Sequence, residues 1–176
     1  RGLVLATMQR DKDERGSLLD MLGACYVRGL RVRGRAVLSG LSGQAADAHP
    51  AHDAGRAFLL PLSTRSAEAL PDLARAYREL ATGNEAELQD IAYTASVRRS
   101  HHSHRLAVVG STKQQLNTLL SAFLEKEDRP GLAAGRALSE RHLKVVFVFS
   151  GFGSQWPHMA KQLLADEPVF RASVAK

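Results

Sequence analysis

Histidine side chains that lie close together in the sequence are the first candidates for a chemical site. His101, His102 and His104 follow one another closely, and imidazole nitrogens can bind zinc and other transition metals. A zinc site needs a fourth good ligand in a fixed geometry, and no residue nearby supplies one. We therefore expect no metal and no other cofactor, and we interpret this stretch as the polar end of a helix that leads into a strand.

Cys25 is the only cysteine of the sequence. A lone cysteine cannot form an internal disulfide, so we expect a reducing, cytoplasmic location. Because apolar and small residues surround Cys25, the sequence favours a buried thiol over a nucleophile.

The formal net charge of +6 raises nucleic acid as a partner. The arginines are scattered among acidic residues, however, and aromatic residues make up only 6% of the chain, with none in a basic patch where bases could stack. We expect no nucleic acid partner, and an acidic protein is the alternative. No apolar run approaches the roughly 18 residues of a membrane span, so we expect no membrane partner either.

Four segments of different composition would position any site. Residues 1–38 predict a short strand from Leu3 to Thr7 and a helix after Asp13 with an apolar face. Residues 39–56 are rich in small and polar residues without apolar periodicity, which predicts a flexible linker. Residues 57–143 alternate between strand and helix patterns, and residues 144–176 open with the β-prone run 145–149, which predicts a buried strand.

The segment 57–143 predicts a small α+β domain. Its first strand covers residues 58–63, and Pro61 places that strand at a sheet edge. A helix that buries Leu70 and Leu80 ends at Gly83, and a second helix, the strand 106–109 and a third helix follow. The predicted fold class is α+β: a small sheet of about three strands with helices packed on one face, plus terminal helical extensions.

The end of the chain resembles the opening of the acyltransferase domains of modular type I polyketide synthases. Those domains begin with a hydrophobic strand and a Gly-Gln-Gly-Ser-Gln-Trp turn, and the stretch from Val145 to Met159 is similar in type and spacing. The segments Gln162–Leu164 and Glu167–Arg171 continue the resemblance.

The preceding residues, 57–143, resemble the linker domain that joins a ketosynthase to an acyltransferase in these synthases. Residues 1–38 resemble the strand and helix that end an acyltransferase. The resemblance thus implies an acyltransferase tail, a linker, an adapter domain and an acyltransferase start at 144–176. This order fits two adjacent acyltransferases in a parent protein, or an artificial junction.

The family's chemistry depends on a serine in a Gly-x-Ser-x-Gly turn, and that motif is absent from the sequence. Ser154 lacks both flanking glycines, and Gln44 replaces the second glycine after Ser42. In the family's opening motif the first glutamine helps to form the oxyanion hole, and here Phe152 occupies that position. Gln155 matches the second glutamine, which either stabilises the turn or contacts substrate. We expect no catalytic residue in this chain.

The resemblance therefore implies an adapter that positions an acyltransferase relative to neighbouring catalytic domains. Arg98, Arg99 and Arg105 would meet an acidic surface, either of an acyl carrier protein or of a neighbouring domain. The alternative is part of a catalytic acyltransferase, a transferase of secondary metabolism that moves an acyl group from coenzyme A to a phosphopantetheine arm. We expect residues 1–38 and 155–176 to pack poorly or to dock on another copy.

Overall fold

The computed structural model describes residues 13–30, 56–83, 86–138, 146, 148, 151, 153 and 155–176. The elements in chain order are α1 (Glu14–Val27), β1 (Phe58–Thr64), α2 (Ala69–Thr82), α3 (Leu88–Val97), β2 (His104–Gly110), α4 (Lys113–Leu124), β3 (Leu132–Arg136), α5 (Lys161–Asp166) and α6 (Pro168–Val174). The strand predicted from Leu3 to Thr7 and all but the last residue of the predicted linker lie outside the described residues.

The three strands form one antiparallel sheet in the order β1-β2-β3. Leu60 pairs with Val108, and Leu106 pairs with Ala134. β1 is an edge strand, as Pro61 predicted, because a residue without an N–H is tolerated where no further strand must be bonded. The α+β fold class is confirmed.

The strand β3 was not predicted from the sequence. Its residues, Leu-Ala-Ala-Gly-Arg, include small residues of low β propensity. The register with β2 fixes this strand, because the second edge of β2 offers backbone groups that β3 satisfies.

One face of the sheet carries the main hydrophobic core. The helices α2, α3 and α4 cover this face, and the core residues are Leu60, Leu62, Leu70, Ala74, Leu88, Ile91, Ala95, Leu106, Val108, Leu116 and Leu120. Leu80, predicted on the buried face of its helix, is instead 43% exposed. The helix buries Ala74 and Ala81 there, so the apolar face is rotated away from Leu80.

The opposite face of the sheet is covered by α1. Leu19, Tyr26 and Val27 pack there against the alternate strand residues Leu59 and Ala107. The packing is close at Gly23, because a Cβ there would lie 3.0 Å from the Cβ of Ala107. The expectation that the first segment packs poorly is therefore wrong for residues 13–30. The sheet buries both faces, and α1 finds apolar surface within its own chain.

The last segment is only partly packed. Leu163 and Glu167 are buried, whereas Val169 and Val174 are exposed. Val146 and Val148 are 80% and 88% exposed and lie in no strand, so the prediction of a buried strand is wrong at these two positions. Among the described residues, no helix has the length and apolar character that a membrane crossing needs.

Candidate functional site: the joint between the terminal segments

Four polar residues join the start of α1 to the start and end of α5. We call Glu14, Arg15, Gln162 and Glu167 the terminal joint. The carboxylate of Glu14 accepts hydrogen bonds from the backbone N–H groups of Ala160, at 2.5 Å, and Leu163, at 3.1 Å. In return the backbone N–H of Glu14 donates to Oε1 of Gln162 at 3.0 Å. Glu14 thus satisfies donors at the start of α5 that have no partner inside the helix.

The second half of the joint is a buried ion pair. Nη1 of Arg15 lies 2.5 Å from Oε1 of Glu167, and the two side chains are only 5% and 7% exposed. Nε of Arg15 also donates to the carbonyl oxygen of Ala57 at 3.1 Å, immediately before β1. Arg15 therefore connects α1, the first strand and the last segment through one guanidinium group.

The buried ion pair is stable only if its polar atoms all have partners. A charge removed from water is tolerated only when it is paired and its hydrogen-bonding groups are satisfied. Among the described residues, every buried side-chain nitrogen and oxygen has a partner. The backbone beside the joint also departs from the usual conformation: Ala160 has a φ of +66°, which side chains with a Cβ rarely adopt. Its N–H is the one that Glu14 binds.

The other end of α1 is fixed by aromatic and cationic side chains. Arg105 lies over the ring of Tyr26, with Cζ 4.7 Å from the ring centroid, and its Nη1 donates to the Tyr26 carbonyl oxygen at 2.8 Å. The Tyr26 hydroxyl lies 2.9 Å from Nδ1 of His101. A cation at the C-terminus of a helix is favoured by the helix dipole. Burial raises the pKa of the Tyr26 phenol, and the Ser63 hydrogen bond and the Arg105 charge oppose that rise.

The histidine cluster is placed as part of this packing. His101 is held between the Tyr26 hydroxyl and the carbonyl oxygen of Ser96, at 3.2 Å from Nε2, and His104 begins β2. In the part of the chain that the structure describes, no group of three metal-binding side chains lies together. Cys25 is half-buried beside Met21, and burial raises the pKa of its thiol against the opposing charge of Arg28.

The two site residues predicted from the sequence are not brought to the joint. Phe152 lies outside the described residues. Gln155 bonds within its own turn: its Oε1 accepts from the N–H of Gly153 at 2.9 Å, and its Nε2 donates to the carbonyl oxygen of Gly151 at 3.3 Å. Both ends of the side-chain amide are therefore engaged with the turn.

Sequence reasoning missed the terminal joint entirely. The acidic residues near Glu14 are favourable charges at a helix start, and a solvated side chain would provide such a charge equally well. The one available signal was an arginine next to Glu14 on a helix that has to bury its first turn. Nothing in the spacing indicates Glu167 as its partner, since the two lie 152 positions apart.

The central part of the chain is similar to known proteins. A family model described as CurL-like, PKS C-terminal, where PKS is polyketide synthase, matches residues 58–120, from β1 into α4. Polyketide synthase GfsA of Streptomyces halstedii is 42% identical over 109 residues, which are 59% of this chain and 1% of that protein. The 5-methyl-1-naphthoate synthase of Streptomyces sahachiroi is 38% identical over 120 residues, 66% of this chain and 7% of that protein.

Two solved structures extend the similarity beyond the central domain. The acyltransferase domain from module 8 of the salinomycin polyketide synthase is 29% identical with a TM-score of 0.58, over 68% of this chain and 28% of that one. The acyltransferase domain of ZmaA is 29% identical with a TM-score of 0.57, over 66% and 26%. The chain spans only a small part of every relative named here.

Proposed function

Because this chain belongs to the polyketide synthases and comes from a region near an acyltransferase, we propose that it is an adapter that holds an acyltransferase in a fixed position relative to neighbouring catalytic domains. The terminal joint is the observation that carries this proposal. It connects α1, before the central domain, to α5, after it, through buried contacts between residues about 150 positions apart.

The adapter acts by geometry. A sheet with both faces buried is a rigid body, and α1 is fixed to it at one end by Arg15 and at the other by Arg105. Because α1 is bonded both to α5, through Glu14, and to Glu167 after it, through Arg15, a domain that continues from α5 and α6 would be held in that orientation. Restricting the freedom of tethered partners raises their effective concentration.

The segments of the chain also have proposed boundaries and partners. We propose that 1–38 is the end of one acyltransferase, that 39–56 is a linker, that 57–143 is the adapter domain and that 144–176 begins a second acyltransferase. An acyl carrier protein is the proposed mobile partner, and the cytoplasm is the proposed location. Arg98 and Arg99 are exposed and open to an acidic carrier, whereas Arg105 is engaged with α1.

Distance measurement tests the adapter directly. In a Cys25→Ala background, spin labels at Gln114→Cys on α4 and Ala172→Cys on α6 report how the last segment sits on the domain. We expect one narrow distance distribution, because the joint fixes α5 and α6. Arg15→Met should broaden it, and Arg75→Met, which alters an exposed arginine on α2, should not. A broad distribution in the unaltered chain would contradict the adapter.

The alternative function is catalytic transfer of an acyl group to a carrier protein. It is favoured only by the similarity to acyltransferase domains. Intact mass measurement after incubation of the 176-residue chain with a mixture of acyl-coenzyme A thioesters separates the two. We expect no covalent acyl adduct, and a stoichiometric adduct would establish the alternative.

A further inference from the structure

A cavity lies beside the edge strand β1, where β1, α2 and α3 meet. Its volume is about 450 Å³, within the usual range for small-molecule sites. One part of its lining is polar and basic and consists of the consecutive residues Arg98, Arg99, Ser100, His101 and His102. The residues that line it, all in the described part of the chain, include no aspartate or glutamate.

Residues 100–102 of the basic wall are held in place before any ligand binds, and the side chains of Arg98 and Arg99 beside them are exposed. Oγ of Ser63 donates to the carbonyl oxygen of Ser100 at 3.2 Å and accepts from the N–H of His102 at 2.9 Å. His101 is fixed by Tyr26 on one ring nitrogen and by Ser96 on the other. A fixed loop carrying two adjacent guanidinium groups suits a planar or tetrahedral anion, because each group offers several donors in a rigid fork.

The other wall of the cavity is apolar. Leu73, Tyr77 and Ala95 line it, together with Pro61 and Leu62 of β1. Pro61, Leu62 and Ala95 are already buried, so the half-buried Leu73 and Tyr77 form the part of this wall that water reaches. A bare anion would leave that part in contact with water and would fill only a small part of the volume. A ligand with an apolar or aromatic group attached to its anionic group would use both walls.

We propose that this cavity binds the phosphate monoester group of a small ligand, with Arg98 and Arg99 on the phosphate and the organic part of the ligand against Leu73 and Tyr77. Two guanidinium groups match the double negative charge of a phosphate monoester better than the single charge of a carboxylate. This inference does not depend on the adapter geometry, since it involves neither α5 nor the terminal joint, but it uses the same Arg98 and Arg99 that are proposed above to face an acidic carrier.

Titration of the 176-residue chain, followed by amide chemical shifts at low ionic strength, tests the proposal. Three probes are compared: phenyl phosphate, inorganic phosphate and benzoate. We expect phenyl phosphate to bind most tightly and to shift the amides of residues 98–102. We expect the double variant R98Q/R99Q to weaken that binding at least about tenfold, since it removes two charge-assisted contacts.

The matched control is R75Q/R129Q, which removes two positive charges at exposed arginines outside this cavity. It should change the affinity for phenyl phosphate less than about twofold, because neither arginine lines the cavity. Thermal unfolding of each variant shows that the fold is kept.

Each other result would overturn the proposal. Equal binding of inorganic phosphate would remove the role of the apolar wall, and equal binding of benzoate would remove the preference for a phosphate monoester. An equal loss in the two double variants would show general charge attraction, and no binding of phenyl phosphate would reject the site.

Discussion

Replacing Arg15 by methionine isolates the contribution of the buried ion pair. Methionine retains much of the apolar stem but removes both the contact to Glu167 and the donor to the Ala57 carbonyl oxygen. Glu167 would then stay in a site where its side chain is only 7% exposed, without the guanidinium group that compensates its charge. The variant therefore tests whether the joint holds α5 and α6 to the rest of the molecule.

Two estimates bound the stability that Arg15→Met should lose. Removing one partner of a buried pair typically costs about 3–5 kcal/mol, because the other charge remains desolvated. A glutamate can avoid this by taking up a proton, and neutralising an ordinary glutamate at pH 7 costs about 3.7 kcal/mol. Detachment of α5 and α6 exposes Glu167 to water and removes the penalty. We therefore expect a loss of about 3 kcal/mol that appears as local opening.

Native-state hydrogen exchange resolved by residue measures that opening. The amides of Leu164 and Glu167 are bonded to Ala160 and Leu163 and report on α5. In Arg15→Met these amides should exchange about 100-fold faster, which corresponds to about 3 kcal/mol. The amides of β2, which lies in the middle of the sheet, should keep their protection.

Two further variants make the result decisive. Arg75→Met breaks the exposed pair with Asp72 and should change exchange by less than about 1 kcal/mol, since exposed pairs contribute little. Arg15→Met combined with Glu167→Met removes both buried charges and should exchange more slowly than Arg15→Met alone. If Arg15→Met left the amide exchange of α5 unchanged, or accelerated the exchange of β2 equally, the joint would not be what holds α5 to the rest of the molecule.

Other variants test the packing of α1. Gly23→Val should lower the free energy of unfolding by about 1–3 kcal/mol in denaturant, because it adds two methyl groups beyond a Cβ that would already lie 3.0 Å from that of Ala107. Gly23→Ala adds only that Cβ, and it should stay near neutral because the gain in helix propensity offsets the close contact. Burial raises the pKa of the Tyr26 phenol, so above pH 10.0 the native state binds more protons than the unfolded state and the free energy of unfolding falls as pH rises. In Tyr26→Phe the free energy of unfolding should fall less steeply with pH. Equal slopes in the two proteins would contradict the raised pKa. Iodoacetamide at pH 8 should alkylate Cys25 more slowly in the folded chain than in denaturant, because burial raises the pKa of its thiol, and equal rates would show an accessible thiolate.

The sequence predicts the elements whose pattern is local. Apolar spacing identifies α2, α3 and α4, and Pro61 places β1 at an edge. Thr112 has the residue type that favours a helix start, and its hydroxyl accepts from the N–H of Gln115 at 3.1 Å as the N-cap of α4. Each of these features depends on residues a few positions apart. β3 escapes such reasoning, because its strand conformation depends on the free edge of β2 and not on its own residues.

The terminal segments also depend on distant partners: a charged residue is buried in one, and apolar residues are exposed in the other. Arg15 is charged and is buried, because Glu167 and the Ala57 carbonyl oxygen lie where its guanidinium group needs partners. Val146 and Val148 belong to the most β-prone run of the chain and are exposed, because no described strand lies beside them. This chain covers 28% of the salinomycin acyltransferase domain that it resembles, so that fold contains much surface that this chain does not supply. At Arg15 and at the two valines, burial depends on which groups lie beside the segment. Hydrophobicity along the sequence therefore predicts burial only where those neighbouring groups belong to the same folding unit.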